Sequence, residues 1–346
     1  MARTSSTPHP DSPRARPRTA QLLAESEHPC PLVIAHRGGR GDHPENTLAA
    51  IRGALAVGAD MLWLSVQVSR DGVPVLYRPL DLGELTDGSG PVEAHTAEQL
   101  ARLNAGYHFA GCDGRFPYRR SSAAQLPSLA AALRVVPAHV PVLLDLKSPH
   151  VAVLAPAIAA VLDTPTAEGT TGWGRVRFYS TQREATETMS AFPLAHCFEP
   201  RDTTRDRLML CRLTRQRPAP PAPGTWAGFE LHRKVELTEE FTLGTGASCI
   251  PDATFWDERS VDCFRGDGGV TLVFFGVNTP EDYLTAWHLG ADAVMADSPR
   301  RMVQIRADLA RMVERRGSAP GLGTPAARLV GASSRTSAGS QLAANR

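Results

Sequence analysis

The chain has 346 residues, 42% of them hydrophobic and 21% charged, which is a globular composition with enough apolar material for one large barrel or two ordinary domains. A formal net charge of +1 excludes a broad polyanion-binding surface, because nucleic-acid binders carry a clear basic excess. Six cysteines without a Cys-x-x-Cys pair exclude a zinc-ribbon pattern and predict reduced thiols, and no run reaches the roughly 18 apolar residues that a bilayer span requires.

In chain order, residues 1–28 are rich in Pro, Ser, Thr and Arg and read as a disordered segment without the apolar core of a signal peptide, so a cytoplasmic location is expected. The apolar run Leu32 to Ala35 predicts a strand that delivers His36 and Arg37 at its C-terminal end. A Gly-rich turn follows, and Pro44-Glu45-Asn46-Thr47 opens a periodic segment at 46–57 that reads as a helix. Further strand-like runs occur at 60–66, 73–78, 141–146, 175–180, 193–198, 270–275 and 292–296. Helical patterns occur at 97–103, 126–136, 150–162, 182–190, 280–289 and 299–316. This alternation predicts an α/β fold on a parallel sheet, and eight such units predict a closed TIM (β/α)8 barrel over residues 29–317.

Two regions break the rhythm. Residues 79–125 carry one short helix and many Gly, Pro and Arg residues, and read as a loop insertion after the third strand-like segment. Residues 199–262 hold a Pro-Ala run and a possible strand at 226–231 or 247–251, so the sixth barrel strand stays open between these and the run at 193–198. Residues 318–346, dominated by Gly, Ala, Ser and Thr, read as a disordered tail.

In parallel barrels, ligands bind at the C-terminal ends of the strands, which puts His36 and Arg37 at the functional face. The pattern then becomes specific. His36-Arg37-Gly38, Pro44-Glu45-Asn46-Thr47, Asp71-Gly72-Val73-Pro74-Val75, Val277-Asn278-Thr279-Pro280 and Ala296-Asp297-Ser298-Pro299 follow in the order found in the glycerophosphodiester phosphodiesterase family, which the chain resembles over about residues 31–300. The resemblance implies a barrel that hydrolyses glycerophosphodiesters to glycerol 3-phosphate and an alcohol, with a divalent metal and two histidines. On it, His36 matches the first catalytic histidine, expected to exchange a proton with substrate oxygens, and Arg37 matches an arginine that contacts phosphate. Glu45 matches a glutamate kept near the site.

The following strands depart from that pattern. Where the family has Glu-x-Asp as two metal ligands, the chain reads Trp63-Leu64-Ser65, and the second catalytic histidine is replaced by Arg78. The third ligand, a glutamate two residues before a lysine, appears as Asp145 ahead of Lys147, and Phe275 stands where tryptophan usually precedes Val-Asn-Thr. An indole, a hydroxyl and one short carboxylate do not make the carboxylate set that holds a hard cation. The expectation is therefore no metal ligand and no cofactor, although the family uses magnesium or calcium.

The expected site comprises His36 and Arg37 as catalytic residues, with Glu45, Arg78, Asp145, Lys147 and Phe275 contacting substrate. Arg37, Arg78 and Lys147 could clamp an anion directly. Three readings follow: a barrel that binds a phosphate-bearing small molecule without hydrolysing it, a metal-independent enzyme on a phosphate ester with His36 as acid or base, and a metal-dependent phosphodiesterase with relocated ligands. Asp81 and Glu84 are the carboxylates that could relocate, whereas Asp60 belongs at the opposite end of its strand and Asp71 in a turn. His95 and His108 fall on the surface of the insertion, and Asn278 and Asp297 end strands at the functional face, where loop capping explains them equally well. The expected partner is a small phosphate ester, with no nucleic acid and no membrane-spanning segment.

Overall fold

The computed structural model describes residues 28–317 apart from 112, 166–168, 215 and 267. The expected disorder of the termini therefore lies outside the described residues, save for His28. Ten strands occur among them: β1 (Leu32–His36), β2 (Met61–Val68), β3 (Pro74–Leu76), β4 (Val142–Leu146), β5 (Val176–Tyr179), β6 (Trp226–Glu230), β7 (His232–Phe241), β8 (Gly244–Thr254), β9 (Thr271–Phe275) and β10 (Ala293–Ala296). Seven of them run in the order β5-β4-β2-β1-β10-β9-β6, every neighbour parallel.

The ring closes at an eighth position only two residues wide. Phe178 of β5 bridges Cys197 and Phe198 bridges Trp226 of β6, both in parallel. Phe198 N–H donates to Phe178 O at 2.8 Å, and Glu199 N–H to Trp226 O at 2.8 Å. The chain is thus an α/β TIM barrel, and the open question of the sixth strand resolves in order: 193–198 supplies the fifth position and 226–230 the sixth.

Three expectations need correction. The run at 73–78 is not a ring strand: Gly72, with φ 79°, reverses the chain so that β3 lies antiparallel on β2. The candidate strand at 247–251 lies in a hairpin, β7 with β8, whose side chains are mostly exposed. Helices Arg201–Leu213 and Glu258–Arg265 flank that hairpin, where no helical pattern was expected.

Helices cover the outer face. We number them α1 (Leu48–Ala56), α2 (Ala97–Leu100), α3 (Leu129–Val135), α4 (Val151–Asp163), α5 (Arg183–Ser190), α6 (Arg201–Leu213), α7 (Glu258–Arg265), α8 (Pro280–His288) and α9 (Pro299–Gly317). The first starts where the sequence says it should, because the Thr47 hydroxyl accepts from Ala50 N–H at 3.2 Å. No helix among the described residues is long and apolar enough to cross a membrane.

Strand alternation decides which side chains reach the site. On β2, Leu62, Leu64 and Val66 pack outward with Leu129, Leu154 and Ile158 of the helices. Met61 and Trp63 face inward with Ile34, Leu143, Tyr179, Val273, Phe275 and Met295. Burial of each such side chain contributes about 1.5–3 kcal/mol. The register aligns Ser65 with Asp145, and Asp145 with Tyr179, so the same alternation lifts these polar groups to the rim on one side. The insertion after β3 has its own small core of Val75, Tyr77, Leu82, Val92, Leu100 and Leu126.

Candidate functional site

A cavity of about 560 Å³ opens at the C-terminal ends of the ring strands. Each of seven ring strands contributes a lining residue: His36, Trp63, Asp145, Tyr179, Glu230, Phe275 and Met295. Its floor is aromatic. Trp63 lies 4.9 Å from Tyr179 and 5.2 Å from Phe275 between ring centroids, and all three rings are buried. Gly228 makes this packing possible, since a Cβ there would fall 2.4 Å from the Phe275 ring.

The end of β1 is held in an unfavourable backbone shape. Arg37 and Asn46 have φ of 52° and 58°, in the left-handed region that costs non-glycine residues roughly 1–2 kcal/mol each. Local hydrogen bonds fix the shape: Asn46 N–H donates to Arg37 O at 2.8 Å, and Asn46 Oδ1 accepts from Ser65 N–H at 2.9 Å. The turn brings Arg37 Nη1 onto both oxygens of Glu45 at 2.9 and 2.7 Å, while Arg37 Nε is buried without a partner. Glu45 therefore stands behind Arg37, outside the cavity lining.

His36 Nδ1 lies 2.6 Å from Asp297 Oδ1, and Asp297 N–H donates to Asn278 Oδ1 at 2.9 Å. Burial pushes the Asp297 carboxyl up, but the hydrogen bond from His36 and the charges of His36, Arg40 and Arg37 outweigh it and hold it below the usual value. An ionised Asp297 requires the His36 proton on Nδ1, which leaves Nε2 as the free ring nitrogen. Asn278 and Asp297 thus do more than cap loops: together they orient His36.

On the other side, Lys147 Nζ sits 3.0 Å from Asp145 Oδ1 and 3.3 Å from Thr181 Oγ1. Ser65 Oγ reaches Asp145 Oδ2 at 3.5 Å, the outer limit of a hydrogen bond. Arg78 lines the cavity, is exposed, and makes no hydrogen bond or ion pair with any described residue. Sequence reading missed Arg201, whose guanidinium donates to Tyr179 Oη at 2.9 Å and to Glu230 at 2.8 and 2.6 Å. Burial raises the Tyr179 pKa against the opposing pull of Arg201, so the phenol stays a neutral donor.

The lining holds seven cationic side chains (Arg37, Arg40, Arg78, Lys147, Arg201, Arg205, Arg233) against four carboxylates (Asp145, Asp202, Glu230, Asp297), an excess of three positive charges with His36 neutral. The other candidates lie elsewhere. Asp81 caps a turn by accepting from Gly83 and Gly90 N–H, and neither it nor Glu84 lines the cavity. Asp60 accepts from Val33 N–H at the opposite end of the ring, and Asp71 accepts from Ser69 and Ala97. His95 is bonded to Ser89 O and His108 packs on Tyr107, both outside the cavity lining. A larger cavity of about 680 Å³ lies beneath α3 and α4, but its lining is mostly apolar and Arg175 there is committed to the carbonyls of Leu133, Val136 and Pro137.

The donors at the mouth do not fit a divalent cation as they stand. Asp145 is held by Lys147, Glu45 by Arg37 and Asp297 by His36, while Trp63 and Ser65 offer an indole and one hydroxyl. Among the described residues no group of three His, Cys, Asp or Glu side chains is placed to share a metal ion.

The model of the Glycerophosphoryl diester phosphodiesterase family matches residues 36–301. The uncharacterized protein Rv2277c of Mycobacterium tuberculosis is 47% identical over 278 residues, 80% of this chain and 90% of that protein. The crystal structure of its glycerophosphoryl diester phosphodiesterase domain superposes with a TM-score of 0.73 at 45% identity, covering 80% of this chain and all of that domain. A phosphodiesterase of Oleispira antarctica, solved with its product sn-glycerol-3-phosphate, shares the fold at 22% identity and a TM-score of 0.57, covering 81% of this chain and 97% of its own. These matches correct the expectation of no cofactor, because the matched family is metal-dependent.

Proposed function

The chain belongs to the glycerophosphoryl diester phosphodiesterase family, and from that premise we propose that its barrel mouth binds a phosphate-bearing small molecule, hydrolysis of glycerophosphodiesters having lapsed there. The observation that carries this reading is Arg78, a guanidinium at the rim of a cationic cavity with no partner of its own among the described residues. The other lining cations on the β1, β2 and β4 side have carboxylate partners: Arg37 pairs closely with Glu45 and Lys147 with Asp145, and Arg40 lies 3.8 Å from Asp297.

Phosphate suits this arrangement. The planar fork of Arg78 matches two phosphate oxygens, and Lys147 adds a point charge from the facing strand end. Arg37 is preset by Glu45 and by the strained turn. His36 Nε2 accepts from a protonated phosphate oxygen or from a ligand hydroxyl, and the Trp63 floor supports the carbon backbone behind it. The donors that a cation would need are engaged in ion pairs, so no hydrolytic step is assigned through a metal.

The test is turnover of glycerophosphocholine and of bis(p-nitrophenyl) phosphate, with magnesium or calcium and again with EDTA, beside calorimetric titration with sn-glycerol 3-phosphate. Binding without turnover is expected. Metal-dependent turnover would overturn the claim that hydrolysis has lapsed. A second reading is favoured by the 2.6 Å contact of His36 with Asp297, which prepares Nε2 for acid–base work. Turnover that persists in EDTA and disappears in His36→Ala would select that metal-independent enzyme.

A further inference from the structure

Beyond the phosphate site, we infer that the mouth continues into a second anion subsite, so that the ligand's alcohol arm itself carries negative charge. The inference rests on the phosphate-binding reading and names its ligand class. A second cavity of about 600 Å³ lies at the root of the β7–β8 hairpin and shares Arg201, Arg205 and Arg233 with the mouth. The two spaces adjoin across this arginine ridge.

The side chains along the second half sort into two kinds. Arg201 is fixed: only 14% of its side chain is exposed, it is clamped by Glu230 and Tyr179, and it lies 4.3 Å over the Phe229 ring. Arg205, Arg233 and Lys234 are half-exposed or more, and each is paired at the surface with a carboxylate, Asp206 at 2.8 Å, Glu230 at 3.3 Å and Glu236 at 2.7 Å. Exposed pairs of this kind contribute about 0–1 kcal/mol, so an arriving anion recruits these cations at little cost. Glu230 is already engaged by Arg201, which leaves Arg233 the least neutralised of the three. Counted once over both linings, eight cations (Arg37, Arg40, Arg78, Lys147, Arg201, Arg205, Arg233, Lys234) face six carboxylates (Asp145, Asp202, Asp206, Glu230, Glu236, Asp297), so the two spaces together keep an excess of two positive charges. A cationic alcohol such as choline meets this positive excess and is disfavoured. An anionic one meets three cations held only in exposed ion pairs, over an apolar floor of Phe229, Phe255 and Met209.

The experiment compares affinity for glycerophosphoinositol 4-phosphate, glycerophosphocholine and sn-glycerol 3-phosphate in the full chain and in Arg205→Ala/Arg233→Ala/Lys234→Ala. The expected result is that the anionic diester binds about tenfold more tightly than the choline diester, equivalent to about 1.4 kcal/mol, and that the preference vanishes in the triple variant. Added salt should shrink the preference as well. Equal affinity for the two diesters in the unaltered chain, or a preference that survives the triple variant, would overturn the subsite while leaving the phosphate site standing. Failure of all three ligands to bind would overturn both readings.

Discussion

Replacing Lys147 with Met removes the counter-charge of Asp145 and keeps most of the stem's volume. Lys147 Nζ and Asp145 Oδ1 are 3.0 Å apart, with the two side chains 17% and 8% exposed. The second Asp145 oxygen has only the long contact from Ser65. Breaking a buried pair by removing one partner costs about 3–5 kcal/mol, because the remaining charge stays desolvated. Water at the mouth reaches the lysine end, so the loss here should fall to about 2–3 kcal/mol. For a barrel of this size, whose unfolding entropy is about 0.6 kcal/mol/K, that corresponds to a fall in melting temperature of about 3–5 °C. Urea titration of the variant measures it, with Asp145→Asn made in the same background. An amide needs no counter-charge, so the double variant should regain most of the loss. A cost below about 0.5 kcal/mol for Lys147→Met, or no recovery with Asp145→Asn, would refute the view of this pair as a buried charge couple.

The other predictions concern the rim and the helix behind it. Gly53→Ala would ordinarily stabilise helix α1 by about 1 kcal/mol. Here the new Cβ would fall 2.3 Å from His43 Nε2, so a loss of about 1–3 kcal/mol is expected by thermal melting, reversing to a gain on a His43→Ala background. The Asp297 carboxyl is held below its usual value, so its contribution is complete above about pH 4 and is lost as the pH falls through its lower folded value. Asp297→Asn should therefore flatten the acid limb of a stability profile, and an unchanged limb would remove His36 as the cause. Trp63→Glu/Ser65→Asp/Arg78→His should restore magnesium-dependent turnover of glycerophosphocholine; a folded variant with no activity would mean that the pocket has changed shape beyond these positions.

Much of the barrel was legible because local signals agreed. The run into His36, the Thr47 cap and the shift from strand to helix spacing all point to one βα unit, and that unit is where the structure has it. The ring closure was not legible, because a two-residue bridge at Cys197 and Phe198 is too short to impose a period on its surroundings. The β7–β8 hairpin escaped for a related reason: exposed on most of its length, it mixes Glu and Thr with Val and Leu and leaves no buried alternation.

At the site, Arg37, Asp145, Lys147 and Phe275 line the cavity at or just past the ends of ring strands, where register carries neighbouring residues to the same rim, whereas Arg78 reaches it from beyond β3, which lies antiparallel off the ring. Glu45 could not be placed from sequence alone, because its distance from the cavity depends on the left-handed turn at Arg37 and Asn46. The pairing of His36 with Asp297 spans 261 residues, and nothing local distinguishes an orienting carboxylate from a loop cap. Arg201 and Glu230, 29 residues apart, were hidden because their strand positions stayed open, although a charge at the end of the run at 226–231 was the available signal.

The most direct test of the account is calorimetric titration of sn-glycerol 3-phosphate into the unaltered chain and into Arg78→Ala. A charged hydrogen-bonding group of this kind contributes about 1.5–3 kcal/mol, so the variant should bind at least about tenfold more weakly while its melting temperature stays unchanged. Binding that is absent in the unaltered chain, or that ignores the loss of Arg78, would contradict the claim that this mouth is built around a phosphate.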